Sequence, residues 1–228
     1  MISASEAIGA ARMVKIDGVA LPVSKLANEV TELVRDTASP LLFNHSCRVY
    51  CFGALTGRRN GLNFDAELLY IGAMFHDLGL TARYSSRTER FEVDGANAAR
   101  DFLRGHRIDL QDMDLVWAAI ALHTTPGIPK HMHPVIALVN AGVLMDVVGI
   151  GYEQFTESER NAVTALYPRG AGFEEELIQA FYDGNKHKPE TTYGTVTADV
   201  LAEKDPNFHR PDTCSRIRHS RWTAGARQ

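Results

Sequence analysis

Cysteine is scarce in this sequence: three residues in 228, an odd number, with no CxxC pair. A disulfide framework and CxxC-type redox or metal chemistry are therefore not expected. Cys47 and Cys51 lie four apart, on one face of a helix, and read as small buried hydrophobes. Long apolar runs are also missing. No stretch approaches the roughly 18 consecutive apolar residues of a membrane span. The opening MISASEAIGAARMVKIDG lacks the basic and then apolar pattern of a signal peptide. A cytoplasmic protein without membrane contact is the expectation. There is no excess of positive charge: 24 Lys and Arg face 28 Asp and Glu, a net charge of −4. Nothing global points to nucleic acid as a partner. Gly-rich phosphate loops, Walker sequences, internal repeats and low-complexity linkers are absent. Strand signals are few, and the one hairpin-like stretch, Arg58 to Leu62, reads as a loop.

What remains is an ordinary globular composition, 45% apolar and 23% charged. The chain is long enough to bury a core without disulfides or metal. Helical periodicity dominates, so the expected class is all-α. Ser24 to Ser39 is one candidate helix and Leu41 to Leu55 a second, broken from it by Pro40 and ended by Gly57. Asp65 caps a third, AELLYIGAMFHDLG. Asp94 reads as the cap of a helix through Leu103, and Asp112 to His123 forms another. Pro134 opens an apolar segment through Val148. Thr156 and Glu159 have capping-box spacing for a helix to Tyr167. Glu174–Asp183 and Thr195–Lys204 complete a single helical domain over 1–205. The remainder, 206–228, is a basic tail with five arginines (210, 216, 218, 221, 227) against Asp212. It is expected to lie against an acidic body, docked by Phe208, Ile217 and Trp222.

The chemistry-bearing residues are few and far apart. His45 stands in LFNHSCRVY, His76 and Asp77 in MFHDLGL, His123 in IALHTTPGI and Asp146 in GVLMDVVG. Each sits in an apolar helical context. Ionised aspartates are rarely buried unless paired or bound to metal. Several such groups in one domain are better explained by a common ion than by coincidence. Mixed imidazole and carboxylate donors suit a divalent transition metal: zinc, iron or manganese. Adjacent helix residues point about 100° apart, so His76 and Asp77 converge only at a helix end, and a helical bundle collects the rest.

That ordered set resembles the HD-domain superfamily of metal-dependent hydrolases: a His, a His-Asp pair and a distant Asp, on helices. His45, His76, Asp77 and Asp146 match it in order, over roughly residues 40–150, and the resemblance implies that these four hold the metal. LLFNHSCRVYCFG, AMFHDLGLT, FEVDGANAARDFL and ALHTTPGI look like the cyanamide-hydratase-like branch, lyases that hydrate a nitrile carbon. The resemblance implies a metal whose bound water is the nucleophile, and a small-molecule substrate such as a nitrile or C–N compound. The alternatives are a phosphohydrolase acting on a nucleotide or phosphate ester, and a non-catalytic metal-containing ligand-binding protein. His123 is expected to support the site or do acid–base work, with a second-metal ligand or core packing as its rivals. His131 and His133 read as loop residues. Glu92 is a candidate for site chemistry. Arg83, Arg87 and Arg90 form either a phosphate clamp or a solvated loop face. Asn44 and Arg48 flank His45 and are placed to support it. The apolar helices between Thr156 and Leu201 leave a homo-oligomer open.

Overall fold

The computed structural model describes residues 15–210 and 212–224. It is an all-α bundle: α1 (Lys25–Thr37), α2 (Pro40–Arg59), α3 (Ala66–Phe75), α4 (Phe91–Gly105), α5 (Leu110–Ala121), α6 (Pro134–Val148), α7 (Glu157–Leu166), α8 (Phe173–Asn185) and α9 (Thr197–Lys204). Short helical turns follow in the tail, at Thr213–Arg218 and Arg221–Ala224. Side-chain caps set most of the helix starts. Ser24, Ser39, Asp65, Asp109 and Thr156 each accept a backbone N–H from the turn that follows. Those donors would otherwise have no partner within the helix. Thr156 and Glu159 form the full reciprocal capping box.

Several boundaries differ from the sequence reading, each for a physical reason. Pro40 starts α2 rather than preceding it, because its missing N–H costs nothing in a first turn. Gly57 does not end α2. It stays helical because its bare Cα makes room for Phe64 and Leu138. α5 begins at Leu110 rather than Asp112, because Asp109 caps it by accepting the Asp112 N–H. Asp94 is not a cap, since α4 begins at Phe91; the Asp94 carboxylate instead accepts the Ser86 N–H at 2.9 Å and the Lys188 ammonium at 2.6 Å. A small hairpin pairs β1 (Lys15–Ile16) with β2 (Val19–Ala20) through an Asp17-Gly18 turn with positive φ at both residues. Its two-residue strands are too short to show alternation in the sequence. In the tail, Ile217 and Trp222 are exposed rather than docked. Arg210 does reach the body, at Asp199.

The α2–α6 pair forms the spine of the core. Both helices are buried along most of their length. Gly142 lets them touch: a Cβ there would lie 2.1 Å from the Val49 carbonyl oxygen. Four residues along each helix from this contact stand His45 on α2 and Asp146 on α6, so the backbone contact brings those two side chains face to face.

Candidate metal centre

His45 projects from the second turn of α2. His76 is the first residue past α3, and Asp77 begins the tight turn that follows, with φ −104° and ψ 4°. This break lets neighbouring residues aim at one point, which a continuing helix would forbid. The turn is pressed against the start of α4 at Gly79, where a Cβ would sit 1.9 Å from the Phe91 carbonyl oxygen. His123 stands just beyond α5, and its backbone carbonyl accepts from Asn140 Nδ2 at 2.7 Å. All four side chains are buried, none more than 2% exposed.

The hydrogen bonds orient the rings. His76 Nδ1 donates to the Ala73 carbonyl at 2.6 Å, and His123 Nδ1 donates to the Ile120 carbonyl at 2.6 Å. His45 Nδ1 donates to Asp146 Oδ2 at 2.6 Å. With each proton held on Nδ1, the three Nε2 lone pairs are free to point inward. His45 Nε2 and His76 Nε2 lie 3.1 Å apart. Asp77 Oδ2 is 3.2 Å from His76 Nε2 and 3.5 Å from His45 Nε2, and Asp77 Oδ1 is 3.6 Å from His123 Nε2. Both Asp77 oxygens and His123 Nε2 are buried without a hydrogen-bond partner. Unpaired buried polar atoms are costly. Here they converge on one point, as donors to a cation do. His45, His76 and Asp77 together offer a set of atoms able to hold a metal ion.

The titration behaviour follows the same geometry. Burial pushes the Asp77 pKa up, but His76, His123 and His45 outweigh it and keep the carboxylate ionised well below its usual range. Burial pushes His76 down, and Asp77 and the Ala73 carbonyl more than reverse it. For His45 burial prevails over Asp146, and its pKa falls.

Asp146, expected from the sequence as a fourth metal ligand, lies one step out from this centre: the donor set is His45, His76 and Asp77, and the Asp146 carboxylate meets the far side of the His45 ring. Besides His45 it accepts Arg48 through two bonds, at 2.8 and 2.9 Å, and Arg169 Nη1 at 3.0 Å. Arg169 also donates to the Asp146 backbone carbonyl. The carboxylate is thus engaged on both oxygens and holds His45 from behind. Arg48 is fully buried and also donates to the Tyr167 and Pro168 carbonyls. Asn44 donates to the Pro168 carbonyl, which Arg48 also meets.

Glu92, on the first turn of α4, is buried beside the cluster. It accepts the Thr124 hydroxyl at 2.5 Å and Arg90 at 2.7 and 3.3 Å. Burial raises its pKa, but Arg90 and His123 outweigh this and keep it ionised. Arg90 is therefore spent on Glu92. Arg83 and Arg87 sit on the exposed loop, with Arg83 against the Tyr84 ring. His131 and His133 are exposed loop residues, and His133 caps α6. The sequence reading missed Arg169, Thr124 and the residues that roof the centre. Phe173 lies 6.0 Å from the His45 ring, and Phe91 lies 5.5 Å from the His123 ring. A lone arginine or phenylalanine carries no signal of this kind.

The fold and centre define a helical protein with a cluster able to hold a divalent metal. The HD domain family profile matches residues 42–164, more than half of the sequence, and the protein belongs to that family. HD domains bind divalent metals and are generally metal-dependent hydrolases. No curated protein matches the sequence. Among the described residues, no helix is long and apolar enough to cross a membrane.

Proposed function

We propose that this protein is a metal-dependent hydrolase or hydratase acting on a small uncharged C–N compound, such as a nitrile or cyanamide. The observation that carries the reading is the buried cluster of three inward Nε2 atoms around an Asp77 carboxylate with no hydrogen-bond donor. His45, His76, Asp77 and His123 would hold zinc, iron or manganese, and Asp146, braced by Arg48 and Arg169, would fix the ring of His45. A divalent ion lowers the pKa of bound water from 15.7 to about 7 in favourable sites and polarises a substrate atom. The chain's own groups do the rest. The Ala73 and Ile120 carbonyls hold two rings in the tautomer that leaves Nε2 unprotonated. Glu92, ionised and steadied by Thr124 and Arg90, is placed to take or return a proton beside His123.

Two observations favour an uncharged substrate over a phosphate ester. Arg83 and Arg87 are on the surface and Arg90 is paired with Glu92, so none of the three is aimed at the cluster. Phe91 and Phe173 lay apolar rings against His123 and His45, and the two arginines stacked on Phe173, Arg48 and Arg169, are both paired with Asp146. The stretches around NHSCRVY and MFHDLGL support the cyanamide-hydratase-like branch.

The test is elemental analysis of purified wild type beside Asp77→Ala and His123→Ala, with turnover of acetonitrile, cyanamide and p-nitrophenyl phosphate. The reading expects one transition-metal ion per wild-type chain, loss of it in Asp77→Ala, and turnover confined to the nitrogen compounds. Equal metal content in wild type and Asp77→Ala would sink the site. Turnover of the phosphate ester alone would establish the phosphohydrolase, and metal without turnover a binding protein.

A further inference from the structure

The metal centre is closed in this conformation, since none of its four candidate donors is more than 2% exposed. A substrate can reach it only if something moves. The main core cannot: α2, α3 and α6 contribute fully buried residues to one continuous cluster. The segment above the centre belongs to a separate, smaller apolar cluster of Leu42, Leu80, Phe91, Phe173 and Leu177, with Phe181 against it. Three of these side chains, Phe173, Leu177 and Phe181, come from α8. Phe173 faces His45, and Phe181 backs Phe91 at 5.3 Å between ring centres. This helix follows the span matched by the family, which ends at residue 164.

The far end of α8 is fastened by polar groups. Lys188, three residues past the helix, is 0% exposed and its ammonium meets Asp94 Oδ2 at 2.6 Å. Asp94 stands on α4 three residues after Phe91, and it also accepts the Ser86 N–H. Burying a lysine charge is costly unless it is paired. Static packing over the centre needs no such group. Beside this ion pair His187 meets the Ser85 hydroxyl at 3.2 Å, and a few polar contacts at the end of a helix are suited to a clasp that can open.

We propose that α8 is a mobile roof over the metal centre, hinged on the loop before Phe173 and clasped by Lys188 to Asp94. Phe173 and Leu177, on its inner face, limit what enters to small uncharged molecules; this last point rests on the function proposed above. The roof opens as a local unit while the α2–α6 spine stays folded.

Hydrogen–deuterium exchange on the full-length protein as purified tests the roof without relying on metal or turnover. Amides of 173–185 should exchange at least about tenfold faster than those of α2 and α6, as expected of a locally opening unit. In Lys188→Met the 173–185 amides should accelerate by about tenfold more, with α2 and α6 unchanged. Equal protection of α8 and α2 in wild type would overturn the roof, as would uniform acceleration across the chain in Lys188→Met. Should Lys188→Met not fold, Asp94→Asn, which keeps a hydrogen-bonding partner for the ammonium, replaces it with the same two readings. The selecting role is read from kcat/KM for butyronitrile relative to acetonitrile, which Phe173→Ala should shift toward the longer nitrile. An unchanged ratio would overturn that role. No nitrile turnover in wild type, with the exchange pattern intact, would sink the proposed reaction and leave the roof standing.

Discussion

Replacing Asp146 by Asn separates the bracing of the centre from the centre itself. In the wild type Asp146 is 2% exposed and pairs with Arg48, which is 0% exposed, through two hydrogen bonds. Asn keeps the shape and removes the charge, leaving the Arg48 guanidinium buried without a counter-ion. Breaking a buried pair in this way costs about 3–5 kcal/mol. Arg169 adds little, because its side chain is 30% exposed and a pair so open to solvent is worth about 0–1 kcal/mol. The sign of the pH dependence follows. Burial raises the Asp146 pKa, but His45 and Arg48 outweigh it and the pKa falls far below its ordinary value. The unfolded chain therefore binds more protons as pH falls below about 4, and the pair's contribution, complete at neutral pH, is lost through that acid range. Urea unfolding followed by circular dichroism, on chelator-treated protein, isolates the term from metal binding. Asp146→Asn should unfold at lower urea with an unchanged slope, and its stability should fall less steeply than that of wild type below about pH 4. A loss under about 1 kcal/mol at pH 7 would refute the reasoning, for the pair would then carry no more than a surface contact does.

Two further predictions concern the frame and the thiols. Gly142→Ala sets a Cβ 2.1 Å from the Val49 carbonyl. It should cost about 1–3 kcal/mol in urea unfolding, as overpacking does, and reduce bound metal by parting His45 from Asp146; wild-type values of both would refute the register argument. In the native protein one thiol per chain should react rapidly with a disulfide reagent. Cys214 is exposed, whereas burial removes Cys47 and Cys51 from access and pushes the Cys47 thiol up to about 12. Fast reaction of two or three thiols would contradict the packing of α2.

Much of the helical frame was legible because its signals are local. Asp65 before an apolar run, Pro134 opening α6 and the Thr156–Glu159 box act within one turn of the residues they cap. The polar residues of the candidate centre were legible for a related reason. A histidine or aspartate among apolar neighbours at helical spacing is carried inside with them, and His45, His76, Asp77, His123 and Asp146 are all buried. The hairpin at Asp17-Gly18 and the interior glycine at Gly57 were misread because a short strand and a packed glycine look like loop in isolation.

Sequence alone thus determined the class of fold and that five polar side chains, His45, His76, Asp77, His123 and Asp146, go inside, since both follow from periodicity and the cost of burying charge; it did not carry Lys188 or Asp94 inside with them. Tertiary structure decided which of those groups face one another. It turned Asp146 toward Arg48 and the back of His45, brought His123 up to Asp77, spent Arg90 on Glu92 and laid Phe173 over the centre. These pairings join residues as far apart in the sequence as His45 and Phe173. Their partners are set by how helices cross and by glycines that let backbones touch, and those distances are not written in any local stretch of the chain.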